Sequence, residues 1–135
     1  MSRTIAREIA FKSIYSHMFN TDRKYMEQDD EDLFGGLSDP DDLGFVANIL
    51  KTFAEHCVDI NDVVKNNLVG ITIDRLYKID LAIIFVAICE LFYIKENTPA
   101  VIVNEAVDLA KKFSTEKSPR FVNGFLGDLI KKAVK

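Results

Sequence analysis

Residues Ile79 to Ile94 read IDLAIIFVAICELFYI, and this stretch decides the fold of the chain. Fourteen of its 16 residues are apolar, and only Asp80 and Glu90 carry charge. The apolar residues cover every face of a helix, which is typical of a helix surrounded by protein. A membrane span needs roughly 18 to 20 apolar residues without charges, so this stretch is too short. A buried strand is the competing interpretation, but strands seldom reach this length. The sequence therefore predicts a buried central helix.

Amphipathic helices are predicted on both sides of this central helix, because apolar residues recur there at helical spacing. The predicted segments are residues 4–19, 40–57, 58–68, 99–113 and 118–133, with a short helical turn at Leu33 and Phe34. Three of them begin at a proline that follows a capping residue: Ser38 or Asp39 before Pro40, Thr98 before Pro99, and Ser118 before Pro119. Gly124 and Gly127 lie inside the last segment, which predicts a close backbone approach to another helix. No strand pattern remains, and the fold class is all-α.

Composition favours one globular domain in a reducing compartment. The chain has 135 residues, 48% of them apolar, which fits a single domain and argues against disorder. The N-terminus MSRTIAREIA lacks the apolar core of a signal peptide. Cys57 and Cys89 are the only cysteines, and they are expected to be free, buried thiols. The expected location is the cytoplasm.

Charge is distributed unevenly along the chain. The net charge is −4, whereas residues 111–135 hold seven basic and two acidic side chains, a local +5. A basic patch sets its local field and can attract nucleic acid. A solvated, lysine-rich helix is the simpler explanation, and charge alone favours it.

The stretch Lys117-Ser118-Pro119-Arg120-Phe121-Val122-Asn123 is the most specific candidate site. A helix N-terminus presents unpaired N–H groups that favour an anion such as an RNA phosphate, and two basic residues flank this one. Asn123 can hydrogen-bond a base, and Phe121 or Tyr15 can stack on one. The alternative is that Phe121 belongs to the core and Asn123 faces water.

Catalytic chemistry is not indicated by any motif. The sequence shows no nucleophile–base arrangement, no phosphate-binding glycine loop and no metal-ligand cluster. His56-Cys57 is too small a ligand set for zinc, which takes three or four protein ligands. A protein without catalytic activity, cofactor or metal is therefore predicted.

Several stretches together resemble a known family. They are Ala6-Arg7-Glu8 with Tyr15, Arg75-Leu76 through Ile79-Asp80 together with Glu90-Leu91, and PAVIVNEAVDLAKKFSTEKSPRFVNGFLG from Pro99. This pattern resembles the NusB family of transcription antitermination factors. The resemblance implies one NusB-like RNA-binding domain over residues 1–135, with about seven helices in two packed sub-bundles, about 1–70 and 71–135. It further implies binding to boxA of nascent ribosomal RNA with NusE, a small-subunit ribosomal protein, within the RNA polymerase antitermination complex.

The same resemblance implies which residues act. The RNA-binding positions carried over are Arg3, Arg7, Tyr15, Lys117, Ser118, Arg120, Phe121 and Asn123. The implied protein-partner positions are Asp74 and Asp80. Thr4 and Ile5 interrupt the arginine run that many members have, which predicts weaker RNA binding. Phe85 stands where many members place an arginine, which predicts a changed exposed edge on the central helix.

Two other functions remain open from the sequence. A protein-interaction adaptor with the same fold would bind a partner but no RNA, with its basic end merely solvated. A fragment related to NusB-domain RNA methyltransferases would need a cofactor-binding domain with a glycine-rich loop, which this sequence lacks. Homodimerisation is not decided by the sequence.

Overall fold

The computed structural model describes residues 2–19 and 39–133, and in these ranges every regular element is helical. The helices are α1 (Ser2–Phe19), α2 (Pro40–Asn67), α3 (Lys78–Ile88), α4 (Pro99–Phe113) and α5 (Ser118–Ala133). A single 3-10 turn, Ile73–Arg75, precedes α3, and a π-helical segment, Cys89–Ile94, continues it. The all-α prediction is confirmed. The turn expected at Leu33 and Phe34 lies outside the described residues.

Helix α3 occupies the centre of the molecule, as predicted. Every residue of 80–90 is buried, with Ile83, Val86 and Ala87 at most 2% exposed. Phe85 is buried as well and packs against Phe53 with ring centroids 5.0 Å apart, so the expected exposed edge is wrong. Burying an apolar side chain of this size contributes about 1.5–3 kcal/mol. The central helix is therefore the main apolar contribution to stability.

The chain leaves the core through the π-helical segment. Lys95 ends it in the left-handed conformation, with φ at 57°, and its N–H donates to the carbonyl of Glu90 at 2.9 Å. The wider turn keeps Cys89 and Glu90 both buried at the end of the apolar run. Glu90 is thus held inside the molecule, where it needs a charged partner.

The two helices predicted over 40–57 and 58–68 form one kinked helix, α2. The backbone leaves helical geometry only at His56, with φ −122° and ψ 16°, and the hydrogen-bonded helix resumes beyond it. The His56 ring stacks on Tyr93 at 4.4 Å, which anchors the kink to the end of the π-helical segment. The described residues therefore contain five α-helices, compared with about seven expected for the whole chain.

The packing of α1 joins distant parts of the chain. It lies against α2 and α3, and Phe11 meets Phe113 of α4 with ring centroids 5.3 Å apart. Thr4 bonds Glu105 in the middle of α4, and Phe11, further along α1, meets Phe113 at the end of α4, so α1 and α4 run in the same direction. The buried apolar residues of all five helices form one connected cluster.

Two of the three predicted helix starts are confirmed. Asp39 accepts a hydrogen bond from the Asp41 N–H at 2.9 Å, and Thr98 accepts one from the Val101 N–H at 3.4 Å. In both cases the following proline is the first helical residue. The sequence pattern therefore located the beginnings of α2 and α4 correctly.

The cysteines differ from each other in environment. Cys89 is buried, and burial together with the nearby Glu90 charge raises the pKa of its thiol to about 12. Cys57 is exposed, so the expectation of two buried thiols is wrong for this residue. Both are free. No helix within residues 2–19 and 39–133 has both the length and the apolar character needed to cross a membrane.

The glycines of α5 do not mark a close helix approach. A Cβ built on Gly124 or Gly127 would meet no atom within 4 Å, so the prediction of backbone contact there is wrong. Replacing Gly127 with alanine is expected to raise the free energy of unfolding by about 0.5–1 kcal/mol, because alanine loses less backbone entropy in a helix. Urea unfolding followed by circular dichroism measures this.

Gly70→Ala is the matched control for Gly127→Ala. Gly70 has φ at +79°, which a side chain disfavours whatever the space around it. We therefore expect Gly70→Ala to lower stability. A Gly127→Ala variant less stable than the parent protein would contradict the open space seen around this position.

Candidate nucleic-acid interface

Arg7 is buried in an ion pair. Its guanidinium donates two hydrogen bonds to the Glu90 carboxylate, at 2.8 and 2.9 Å, and lies 3.4 Å from Glu105. The side chains of Arg7 and Glu90 are 4% and 2% exposed. The bidentate, desolvated pair with Glu90 uses two of the five guanidinium N–H donors, and Glu105 faces a further nitrogen of the same group. This geometry does not fit the RNA contact expected of Arg7, because its guanidinium is buried between two carboxylates.

Arg3 is half-exposed at the beginning of α1. Its guanidinium stacks over the Phe45 ring at 4.2 Å and lies 3.8 Å from both Asp42 and Glu96. Two carboxylates therefore share this charge before any ligand arrives. Of the two residues interrupting the arginine run, Thr4 donates to Glu105 at 3.0 Å and Ile5 is exposed. The start of α1 presents little unpaired positive charge.

Asp80 and Ser118 are buried and bonded to each other. The Ser118 hydroxyl donates to Asp80 at 2.9 Å and accepts from the Thr115 N–H at 3.2 Å. Ser114 also donates to Asp80. Asp80 is 3% exposed, so it does not offer the partner surface expected of it, whereas Asp74 is exposed on the 3-10 turn. Ser118 is 1% exposed, and its hydroxyl holds the turn in place.

The turn between α4 and α5 carries the exposed polar side chains. Lys117, Arg120 and Asn123 are all exposed, and their spacing of three residues places them close together on the surface of the first helical turns of α5. Phe121 is half-buried and stacks on Phe125 with centroids 6.1 Å apart. A cation, an amide and a helix N-terminus are therefore presented together, beside an aromatic ring that is partly covered.

Tyr15 of α1 lies beside this turn. It lines a surface cleft of about 400 Å³ whose other walls are Tyr77, Lys78, Ile79, Phe113, Ser114 and Thr115. At 1.5 Å per residue, Arg3 is about 18 Å from Tyr15 along the axis of α1. The fold therefore brings Tyr15 to the turn that precedes α5, and it leaves Arg3 at the other end of the same helix.

Two lysines that the sequence did not single out lie near this cleft. Lys12 and Lys112 both contact the Phe113 ring, and both contact the Glu8 carboxylate. The i, i+4 spacing of Glu8 and Lys12 is visible in the sequence. The approach of Lys112 to Glu8 spans 104 residues and has no local signal.

Metal ligation is not supported in the part of the chain that the structure describes. Within it, no group of three or more His, Cys, Asp or Glu side chains is arranged to hold a metal ion. The side chains near the turn offer charge, hydrogen bonding and stacking. These are the means by which proteins hold single-stranded nucleic acid.

The family model described as the NusB family matches residues 4–131. The chain belongs to the NusB family. A transcription antitermination protein NusB from Finegoldia magna is 36% identical over 132 residues, covering 98% of this chain and 96% of its own. A solved structure of NusB from T. maritima is 27% identical with a TM-score of 0.83, covering 96% of this chain and 90% of that one.

The chain is also similar to a chain in a crystal structure of antitermination factors NusB and NusE in complex with dsRNA. The matching chain is 25% identical with a TM-score of 0.85, and 97% of each chain is covered. The helices described above are thus arranged as in solved NusB structures. The fold and its family are established together.

Proposed function

We propose that this chain is a transcription antitermination factor that binds boxA RNA of nascent ribosomal RNA transcripts together with NusE. The observation that carries the proposal is the exposed turn before α5, beside Tyr15, on a NusB-family fold. One solved relative is described in complex with NusE and dsRNA, which supports both the ligand and the partner. The whole chain acts as a single RNA-binding domain.

The turn binds RNA by three complementary means. Lys117 and Arg120 contact phosphates, which supplies affinity without sequence preference. Asn123 hydrogen-bonds an unpaired base edge, and Tyr15 offers an aromatic ring for stacking at the cleft. Arg3 adds a weaker contact, because Asp42 and Glu96 already share its charge. The N–H groups at the start of α5 favour a phosphate in the same place.

The partner and setting follow from the same proposal. NusE docks on a surface that includes the exposed Asp74, while Asp80 acts indirectly by fixing the neighbouring turn. The complex joins RNA polymerase and lets it read through terminators. The chain works in the cytoplasm and performs no catalysis itself. Its contribution is to hold RNA and protein together.

RNA titration tests the proposal. Lys117→Ala and Arg120→Ala are each expected to weaken binding of a fluorescent boxA-like RNA by about 1 kcal/mol, or roughly fivefold in Kd, because each removes a charged contact. Each variant should also flatten the dependence of log K on log salt by about 0.7 for single-stranded RNA. Fluorescence anisotropy at several salt concentrations, with and without NusE, measures both quantities.

Lys131→Ala is the matched control, since Lys131 is exposed on the last turn of the same helix and carries the same charge. It should leave RNA affinity unchanged within the error. If all three variants bound the RNA with the affinity of the parent protein, the proposal that the turn binds RNA would be wrong. Retained NusE binding in that case would favour the adaptor function.

A further inference from the structure

We propose that Lys12 and Lys112 form a second phosphate-binding site for the RNA, on the face shared by α1 and α4. This inference rests on the proposed function, because it extends the RNA surface beyond the turn before α5. The two residues, called here the lysine pair, come from helices far apart in sequence. Neither was among the RNA-binding positions that the family resemblance implied.

The lysine pair is held in place by two shared neighbours. The ammonium nitrogens of Lys12 and Lys112 lie 4.7 and 5.2 Å from the centroid of the Phe113 ring. The same nitrogens lie 3.3 and 2.8 Å from the oxygens of Glu8. Contact with the ring and the carboxylate restricts both flexible side chains before a ligand binds. A pre-ordered site binds at lower entropic cost.

The charge of this cluster is unbalanced. Two ammonium groups surround one carboxylate, which leaves one positive charge for a further anion. Partial burial pushes the pKa of Glu8 upward, but hydrogen bonds and charges from Lys112 and Lys12 outweigh it and hold the pKa below its ordinary value. Glu8 therefore stays ionised at neutral pH. The cluster has a net charge of +1 under the conditions of RNA binding.

The lysines also have free hydrogen-bonding capacity and access to solvent. An ammonium group has three donors, and the structure gives each of these two a single carboxylate oxygen as hydrogen-bond acceptor. Their side chains are 41% and 64% exposed. A phosphate can therefore reach both nitrogens without displacing Glu8. It would complete the charge balance of the cluster.

The position of the pair favours RNA over an acidic protein. The Phe113 ring, which both lysines contact, also lines the cleft together with Tyr15 and Thr115. Lys12 lies about 14 Å along the axis of α1 from Arg3 and about 5 Å from Tyr15, at 1.5 Å per residue. The pair thus extends the basic surface from the turn toward the start of α1. A strand bound at the turn would pass over it.

The double variant Lys12→Gln/Lys112→Gln tests the site. We expect RNA affinity to fall about three- to tenfold for the loss of two exposed ion pairs. The slope of log K against log salt should also flatten by about 0.7, because the lysine pair neutralises one phosphate of a single strand. Lys51→Gln/Lys111→Gln is the matched control, with two exposed lysines removed elsewhere, and it should bind as the parent protein does.

Glu8→Gln gives an independent test. If the cluster had only a structural role, this substitution would lower RNA affinity, whereas the proposed phosphate site predicts an increase. Removing the carboxylate frees both ammonium groups, so RNA affinity should rise, whereas Glu55→Gln, which frees Lys51, should leave it unchanged. Unchanged affinity in the lysine double variant, with Lys117→Ala still impaired, overturns the inference and leaves the proposed function standing. Loss of NusE binding but not RNA binding would assign the pair to a protein and also overturns it. A parent protein that binds no RNA overturns both.

Discussion

Arg7→Ala is expected to lower the free energy of unfolding by about 3–5 kcal/mol, because it leaves the Glu90 carboxylate buried without its partner. That is a large fraction of the stability of a small domain, which is about 5–15 kcal/mol. A residue that contacts only RNA would show almost no such effect. Chemical denaturation of the purified variant measures the difference, and RNA affinity is then measured under conditions where the variant is folded.

Arg3→Ala is the matched control for this prediction. Arg3 lies on the same helix with its charge near the surface, so its loss should cost less than about 1 kcal/mol. The double variant Arg7→Met/Glu90→Leu should recover much of the lost stability, since replacing both members of a buried pair is often tolerated. An Arg7→Ala protein as stable as the parent would show that the ion pair contributes nothing.

Asp80→Ala is expected to lower the free energy of unfolding by about 2–4 kcal/mol, since it removes two hydrogen bonds from serine hydroxyls to a buried charged group. The two hydroxyls lie 2.9 Å apart and compensate partly by bonding each other. The turn that carries Lys117 also loses its anchor to α3. RNA affinity should therefore fall in the folded protein, although the Asp80 side chain is itself buried.

Two variants separate these effects of Asp80. Asp80→Asn keeps one acceptor oxygen and should lose about half as much stability as Asp80→Ala. Asp74→Ala removes an exposed acid just before the same helix and should change stability by no more than about 0.5 kcal/mol. Denaturation curves and RNA anisotropy on the three proteins make the comparison. An Asp80→Ala variant with parental stability would mean that the serines find equal partners without it.

The central helix was predictable because its signal is local. An uninterrupted apolar run between charged flanks fixes both the type and the burial of the element, and the structure buries it throughout. The starts of α2 and α4 were predictable for the same reason, since a capping residue followed by proline acts within one turn. The kink at His56 was not predictable from local sequence. Its support is a ring contact with Tyr93, 37 residues further along the chain.

The site was less predictable because pattern reading treats charged residues as exposed. Arg7 is an exception only because Glu90 faces it from a position 83 residues away. Ser118 had the expected cap-plus-proline pattern, yet its hydroxyl turns inward to Asp80. The exposed residues Lys117, Arg120 and Asn123 needed no distant partner, and the local sequence indicated their exposure. The role of a side chain that pairs with a residue distant in sequence can be predicted only when the fold is known.

The pairing of α1 with the second half of the chain has a consequence during synthesis on the ribosome. Its polar contacts to Glu90, Glu105 and Lys112 span 83, 101 and 104 residues. The first helix to be translated therefore completes its polar contacts only after Lys112 has been synthesised, although α2 and α3 already cover much of its apolar face. Contacts between residues so far apart in sequence slow folding and prolong the lifetime of aggregation-prone intermediates. The contact between Phe11 and Phe113, which fixes α1 against α4, can form only after Phe113 has been synthesised.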